Sequence, residues 1–211
     1  DGPGICIQGA DANIVMRNVT LKNCNQAFSL AASRVTADDL RIEGAQARGA
    51  RGIIELYDGA TLEIHGGIIQ SDNDQNIRFN EATNVARLTN VASTLAAAFP
   101  NGGNSILERR TTLIVHGPEG AEVAAAFGAE RTNLGTLGSE PLRGELILQQ
   151  VSSAGNKDWL GTWFIEANDQ TREIMIPQLP DQPLLVEFPL TEHKPDKFLL
   201  SFPPPFLVTV V

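Results

Sequence analysis

The sequence predicts an all-β chain: a solenoid of about five stacked rungs followed by a small antiparallel β domain. Three observations predict it. Short alternating phrases recur, first as Asn18-Val19-Thr20-Leu21-Lys22-Asn23, then 21 residues later as Asp39-Leu40-Arg41-Ile42-Glu43-Gly44, then 22 further on as Thr61-Leu62-Glu63-Ile64-His65-Gly66. Alternation turns one apolar pair to one strand face, and a repeat near this length stacks such strands in parallel as turns of one coil. From Glu145 the texture changes to short apolar segments divided by turn residues, the mark of an antiparallel sheet. Finally, 19 Gly and 12 Pro among 211 residues favour turns over long helices.

Taken in order, Ile5-Cys6-Ile7 is an incomplete first rung, and Val19 with Leu21 forms the first full strand. Phe28-Ser29-Leu30 and Val35-Thr36 supply other sides of the coil before Leu40 and Ile42. Ile53-Ile54-Glu55-Leu56, Leu62, Ile64 and Ile68-Ile69 repeat the pattern, and Asn84–Leu88 gives a fourth rung. Thr112-Leu113-Ile114-Val115-His116-Gly117 copies the third rung, 28 residues after Val85. The surplus is assigned to Ala92–Phe99, whose alanines have helical spacing before Pro100-Asn101-Gly102-Gly103, as a short helix inserted in a turn. On this reading Val19, Leu21, Leu40, Ile42, Leu62, Ile64, Leu113 and Val115 share one stacked core. Ala121–Gly128 reads as a second short helix. The solenoid domain then covers residues 1–131, a Gly-rich connector 132–144, and the antiparallel sandwich or jelly-roll-like domain 145–211.

Charge and cysteines exclude several classes. A net charge of −9, with no basic stripe, repels phosphate backbones, so nucleic acid is not an expected partner. No apolar run reaches the length of a membrane span. The two cysteines, Cys6 and Cys24, read as separate small apolar residues rather than a bridge; a bridge would suit an oxidising compartment.

The rungs over about residues 4–118, with phrases such as Asn18-Val19-Thr20-Leu21-Lys22-Asn23-Cys24, resemble the right-handed parallel β-helix of the pectate-lyase-like superfamily. A β-helix followed by a compact β domain is similar to bacteriophage tailspikes and related virion proteins, and also to secreted polysaccharide-degrading enzymes. The resemblance implies a virion or extracellular setting, with other virion proteins or cell-surface polysaccharide as partners. Fold alone does not choose between these classes. The short solenoid and the missing catalytic set favour a non-enzymatic structural or receptor-binding module over a polysaccharide lyase or hydrolase, with a bacterial surface adhesin as a third class.

Candidate chemistry is sparse. Cleaving a polysaccharide takes two flanking carboxylates, or a base with a cation beside an enolate-like intermediate. Among the outward carboxylates Asp38, Asp39, Glu43, Glu55, Asp58, Glu63, Asp72 and Asp74, the catalytic candidates are Glu43 and Glu63. They follow Ile42 and Leu62 on adjacent rungs about 4.8 Å apart, although solvated strand faces explain them as well. Asp72-Asn73-Asp74 resembles part of a calcium loop but reads as a turn. His65 and His116 read as strand-end caps, so neither a metal nor a cofactor is expected. Tyr57, Trp159 and Trp163 are the aromatic residues best suited to stack on the apolar faces of a glycan, against core packing as the plainer reading.

The chain ends in Phe198–Val211 without a charge after Lys197, which demands cover. A homo-oligomer is therefore expected, and the tailspike resemblance implies a trimer. Light scattering at micromolar concentration should give a multiple of the single-chain mass, and deleting Phe206–Val211 should release monomers or precipitate the protein. A monomeric mass for the intact chain would refute this.

Overall fold

The computed structural model describes residues 4–46, 51–71, 77–80, 83–93 and 95–189. Among these there are eighteen strands and no helix. The solenoid is formed by β1 (Ile5–Ala10), β2 (Asn13–Lys22), β3 (Gln26–Ala31), β4 (Arg34–Ala45), β5 (Ile54–Tyr57), β6 (Thr61–Ser71), β7 (Ile77–Phe79), β8 (Val85–Thr89), β9 (Ala92–Ser93), β10 (Ala97–Ala98) and the first half of β11 (Ile106–His116). Then follow β12 (Glu122–Phe127), β13 (Glu130–Thr136), β14 (Leu142–Ser152), β15 (Gly155–Asp158), β16 (Gly161–Ala167), β17 (Gln170–Ile176) and β18 (Leu184–Glu187).

Parallel pairing builds a coil of about four turns. The short strands stack as sheet A in the order β1-β3-β5-β7-β10. The other strands stack as sheet B, β2-β4-β6-β8-β11, in which β2, β4 and β6 each carry the chain round a corner. At that corner Asn18, Asp39, Gly66 and Asn90 all take positive φ, between 51° and 75°, one above another. Only Gly, Asn and Asp enter this backbone region at low cost, which is why the recurring phrases begin with Asn or Asp or end in Gly.

The register gives each inward position a vertical column. Ile14, Val35, Leu62, Ala86 and Leu107 form one; Met16, Ala37, Ile64, Leu88 and Arg109 form the next. The middle members are fully buried in a single core with Phe28, Leu30, Ile54, Leu56, Ile77 and Phe79. Arg109 ends its column. Its guanidinium donates to the carbonyls of Ser93, at 3.0 Å, and Leu95, closing the far end of the coil with a polar plug. Burial alone pulls its pKa down. Where sheet A turns into sheet B, side chains cap the backbone of the rung before. Ser33 Oγ accepts from Ala12 N (3.1 Å), Asn84 Oδ1 from Ala60 N (2.9 Å) and Ser105 Oγ from Asn84 N (3.0 Å). Buried turns keep their amides satisfied this way.

Several expectations are corrected by this register. Leu40 and Leu62 share the core, but Leu40 stacks on Gly67 and Leu62 on Val35, because the second turn is longer than its neighbours. The fifth rung is Ile106–Arg110, which pairs with Val85–Thr89; Leu113 and Val115 lie further along β11 in a second core. No surplus therefore exists for a helix at 92–99. The alanines sit in β9 against β6 and β10 against β7, and the Phe99 ring stacks on Phe79 at 4.9 Å. Pairing to a waiting strand edge overrides alanine's helix propensity. Ala121–Gly128 is likewise not helical, since most of it is β12. The stretch 132–144 carries most of β13 and the start of β14. Cys6 and Cys24 are disulfide-bonded, with Cα atoms 5.8 Å apart, because the turn after β2 returns beside β1 to begin β3.

Beyond the solenoid, β11 runs on between antiparallel β14 and parallel β18. This half of sheet B faces sheet C, ordered β13-β12-β16-β17, across a core containing Leu113, Val115, Leu146, Leu148, Trp163, Ile165 and Phe188. The uncharged tail 198–211, assigned above to the antiparallel domain, lies outside the described residues, as does Asp72-Asn73-Asp74.

Adjacent glycines at the corner of β6 give a sharp test. Gly66 (φ +75°) has open space where an added methyl would stand, whereas at Gly67 (φ +108°) a Cβ would meet Leu40 O at 2.0 Å. Gly66→Ala should cost about 1–2 kcal/mol of left-handed strain. Gly67→Ala should cost roughly 2 kcal/mol more, because the backbone of the neighbouring rung must move. Urea midpoints compare the two; equal losses would contradict the stacking of Gly67 on Leu40.

Candidate functional site

The outward face of sheet B carries a continuous ladder of charge. Arg34 Nη2 lies 3.2 Å from Glu63 Oε2, Arg87 Nη1 lies 2.7 Å from Glu63 Oε1, and Arg87 Nε lies 3.2 Å from Glu108 Oε2. Arg110 then joins Glu108 to Glu145, the latter at 2.8 Å. Burial works against the Glu63 charge, but hydrogen bonds from Arg87 and Arg34 outweigh it and hold its carboxyl below the usual range. Glu63 is thus a clamped structural anion. Glu43 pairs with Lys22 at 3.0 Å. The two glutamates are not brought together: Glu63 stands opposite Thr36, seven residues before Glu43 on β4. His65 reaches Glu145 at 4.0 Å, and His116 lies beyond the last rung, opposite Glu187 on β18.

The tryptophans belong to the sandwich. Trp163 is buried, donates Nε1 to Trp159 O at 2.8 Å and packs on Phe127 at 5.3 Å between centroids. Trp159 is half-buried, donates Nε1 to Glu130 at 2.6 Å and has the Lys157 ammonium 6.0 Å from its ring centre. Tyr57 lies elsewhere, on sheet A, so the three aromatic residues do not form one surface.

Tyr57 instead opens onto a polar groove. The row Gln8, Ser29, Glu55 and Arg78 points away from the solenoid core on successive strands of sheet A. Two adjoining cavities of about 370 and 640 Å³ lie here, sharing Ile5, Gln26 and Arg51 in their walls. Tyr57, Glu55, Arg78 and Asn80 line the first; Gly4, Gln8 and Asn25 line the second. The disulfide holds β1 in place as one wall.

The polar groups of this groove are unusually buried. Glu55 is only 5% exposed; it accepts from Tyr57 Oη at 2.5 Å and from Gly52 N at 3.3 Å. Burial, then the hydrogen bond to Glu55, pushes the Tyr57 phenol up to about 12. Gln26 and Asn80 are 3% and 9% exposed, and their amide nitrogens Nε2 and Nδ2 have no hydrogen-bond partner. The Asn80 amide is oriented by Arg78, whose Nε donates to Asn80 Oδ1 at 2.7 Å, so the idle group is the NH₂. Leaving such a donor buried and unpaired costs about 1–3 kcal/mol, and the chain itself supplies no acceptor for either.

Gln26, Arg51, Arg78 and Asn80 are site residues that sequence reasoning missed. Only Arg78 stands at an outward position within a strand; Gln26 opens β3, Asn80 follows β7 and Arg51 lies outside any strand, and Glu55 was legible only as one carboxylate of many. Among the described residues no cluster of three His, Cys, Asp or Glu side chains is gathered for a metal, and no helix is long and apolar enough to cross a membrane.

No protein-family model, no curated protein and no solved structure matches this chain. The functional reading therefore rests on the groove itself.

Tyr57 is the chain's single tyrosine, so tyrosinate absorbance reports on it alone. Its raised pKa means that the stability it brings is present below the ordinary phenol value of about 10 and is lost as pH rises through about 12. Spectrophotometric titration should show a midpoint near 12, moved down by Glu55→Gln. A native-state midpoint at the ordinary value would mean that the Tyr57–Glu55 bond does not form.

Proposed function

We propose that this chain is a non-enzymatic receptor-binding module of a phage-like particle, with the sheet A groove as its glycan site. One observation carries the reading: Gln26 and Asn80, which line an open groove, hold buried amide donors, Nε2 and Nδ2, that have no partner within the chain. A sugar offers dense hydroxyl and ring acceptors to such donors and an apolar ring face to Tyr57. Binding is favoured over cleavage because Glu55 is the only carboxylate among the described lining residues and is already held by Tyr57 and Gly52. A phenol raised to about 12 is a poor base near neutrality. The particle setting is supported by the sequence resemblance to tailspikes, and by a disulfide of the kind that persists in oxidising surroundings. A homo-oligomer, trimeric by the same resemblance, belongs to this proposal.

Two measurements test it. In amide NMR titrations with cell-surface oligosaccharides, the side-chain NH₂ signals of Gln26 and Asn80 should shift on binding. In parallel, no reducing or unsaturated ends should accumulate. Steady product release, abolished by Glu55→Gln, Glu43→Gln or Glu63→Gln, would make the chain a polysaccharide-cleaving enzyme instead.

A further inference from the structure

The two strands of the first rung are held in different ways. β2 pairs with β4 from Asn13 to Lys22, and the ion pairs Arg17–Asp38 and Lys22–Glu43 join their outer faces. Among the described residues β1 has β3 as its single strand neighbour. Ile7 is its one side chain packed against the solenoid core, and it is only partly buried. Gly9 is buried but brings no side chain, while Ile5, Gln8 and Ala10 are exposed. β3 beneath it buries Ala27, Phe28 and Leu30 completely. An element with so little buried apolar surface opens before the rest of a fold does. What sets β1 apart is its covalent tie, Cys6 to Cys24.

We propose that this disulfide is a redox latch on the groove. Reduction by a dithiol releases β1, and with it one wall of the groove, while the rest of the solenoid stays folded. The latch goes beyond the glycan reading and does not rest on what the groove binds. Cys6 is partly exposed and Cys24 only 1% exposed, so an incoming thiolate reaches the Cys6 sulfur. A mixed disulfide forms there, the Cys6–Cys24 bond breaks, and Cys24 leaves with the electron pair and takes up a proton. Lys22 O, 3.8 Å from Cys24 Sγ, is an acceptor for the new thiol. The second thiol of the reductant then attacks its own sulfur in the mixed disulfide. Cys6 departs and is protonated, and the reductant is left oxidised to a disulfide.

The register shows what such a release uncovers. Gly4, Ile5 and Gln8 line the larger cavity, and Ile5 also lines the smaller. Gln26 stands opposite Ile5, and its backbone N–H donates to Gly4 O at 3.0 Å. The freed segment ends at Asp11 and Ala12. There Asp11 takes φ 51°, and Ala12 is pinned by its N–H to Ser33 Oγ (3.1 Å) and its carbonyl to Arg34 N (2.8 Å).

Amide hydrogen exchange on the full chain, with and without dithiothreitol, tests the latch, and alkylation with mass spectrometry counts the thiols. With both thiols free, the protected amides of β1 and the amide of Gln26 should exchange at least tenfold faster. Those of β4, β6 and β8 should keep their rates. The double variant Cys6→Ala, Cys24→Ala should show the same pattern without reductant, and reoxidising the native chain should restore protection. Unchanged exchange in β1 after complete reduction would overturn the latch, since strand pairing would then suffice. Protection lost throughout the solenoid would overturn it too, making the bond a staple of the whole fold. A bond that dithiothreitol cuts only in denaturant would overturn the access assigned to Cys6, and the latch with it.

Discussion

Everything in this molecule depends on one backbone constraint: each rung must hydrogen-bond in register to the rung before it while turning the same corner. A residue at the corner must adopt left-handed φ, and the one stacked upon it must do likewise. Asn18, Asp39, Gly66 and Asn90 meet that demand with different side chains. At Gly67 the demand is stricter, for the backbone of Leu40 occupies the space where a side chain would begin. Once the corners stack, the inward columns follow, and burial of Val35, Leu62, Ile64 and their neighbours supplies the driving force. The solenoid is thus held by apolar columns whose alignment is set by polar and glycine corners.

The strand β11 transmits this order to the rest of the chain. Its first half is a rung, with Leu107 in the solenoid core, and its second half places Leu113 and Val115 in the sandwich core. The charge ladder from Arg34 to Glu145 follows the same route along the outer face. Glu63 and Glu108 are each shared between two arginines, so the order of one side chain serves several pairs. Both are thereby committed to structure, which leaves Glu55 as the buried carboxylate in a groove.

That groove shows how a solenoid makes a site without a dedicated loop. Outward positions on stacked strands recur about every 4.8 Å, so side chains distant in sequence become a single lining. Gln26, Glu55, Arg78 and Asn80 come from three strands and their margins, and β1 is fastened across one end by Cys6 and Cys24. Burying polar groups here has a cost that the solenoid core offsets, and the amide donors of Gln26 and Asn80 stay unmet within the chain.

By itself the sequence determined the all-β class, the stacking of strands and the antiparallel character of the second half. These depend on local alternation and turn residues, which are written into neighbouring positions. Asn18-Val19-Thr20-Leu21 and its echoes were legible for that reason. Tertiary structure alone decided the register, because turns of unequal length hide it. Leu62 therefore stacks on Val35 rather than Leu40, and the last rung is Ile106–Arg110 rather than Thr112–Gly117. It also decided that alanines at 92 and 97 complete sheet edges, that Cys6 meets Cys24, and that Tyr57 parts company with both tryptophans. The groove was illegible for the same physical reason: its donors and carboxylate become neighbours only through pairing across strands, and which amide is left without a partner depends on every other hydrogen bond around it.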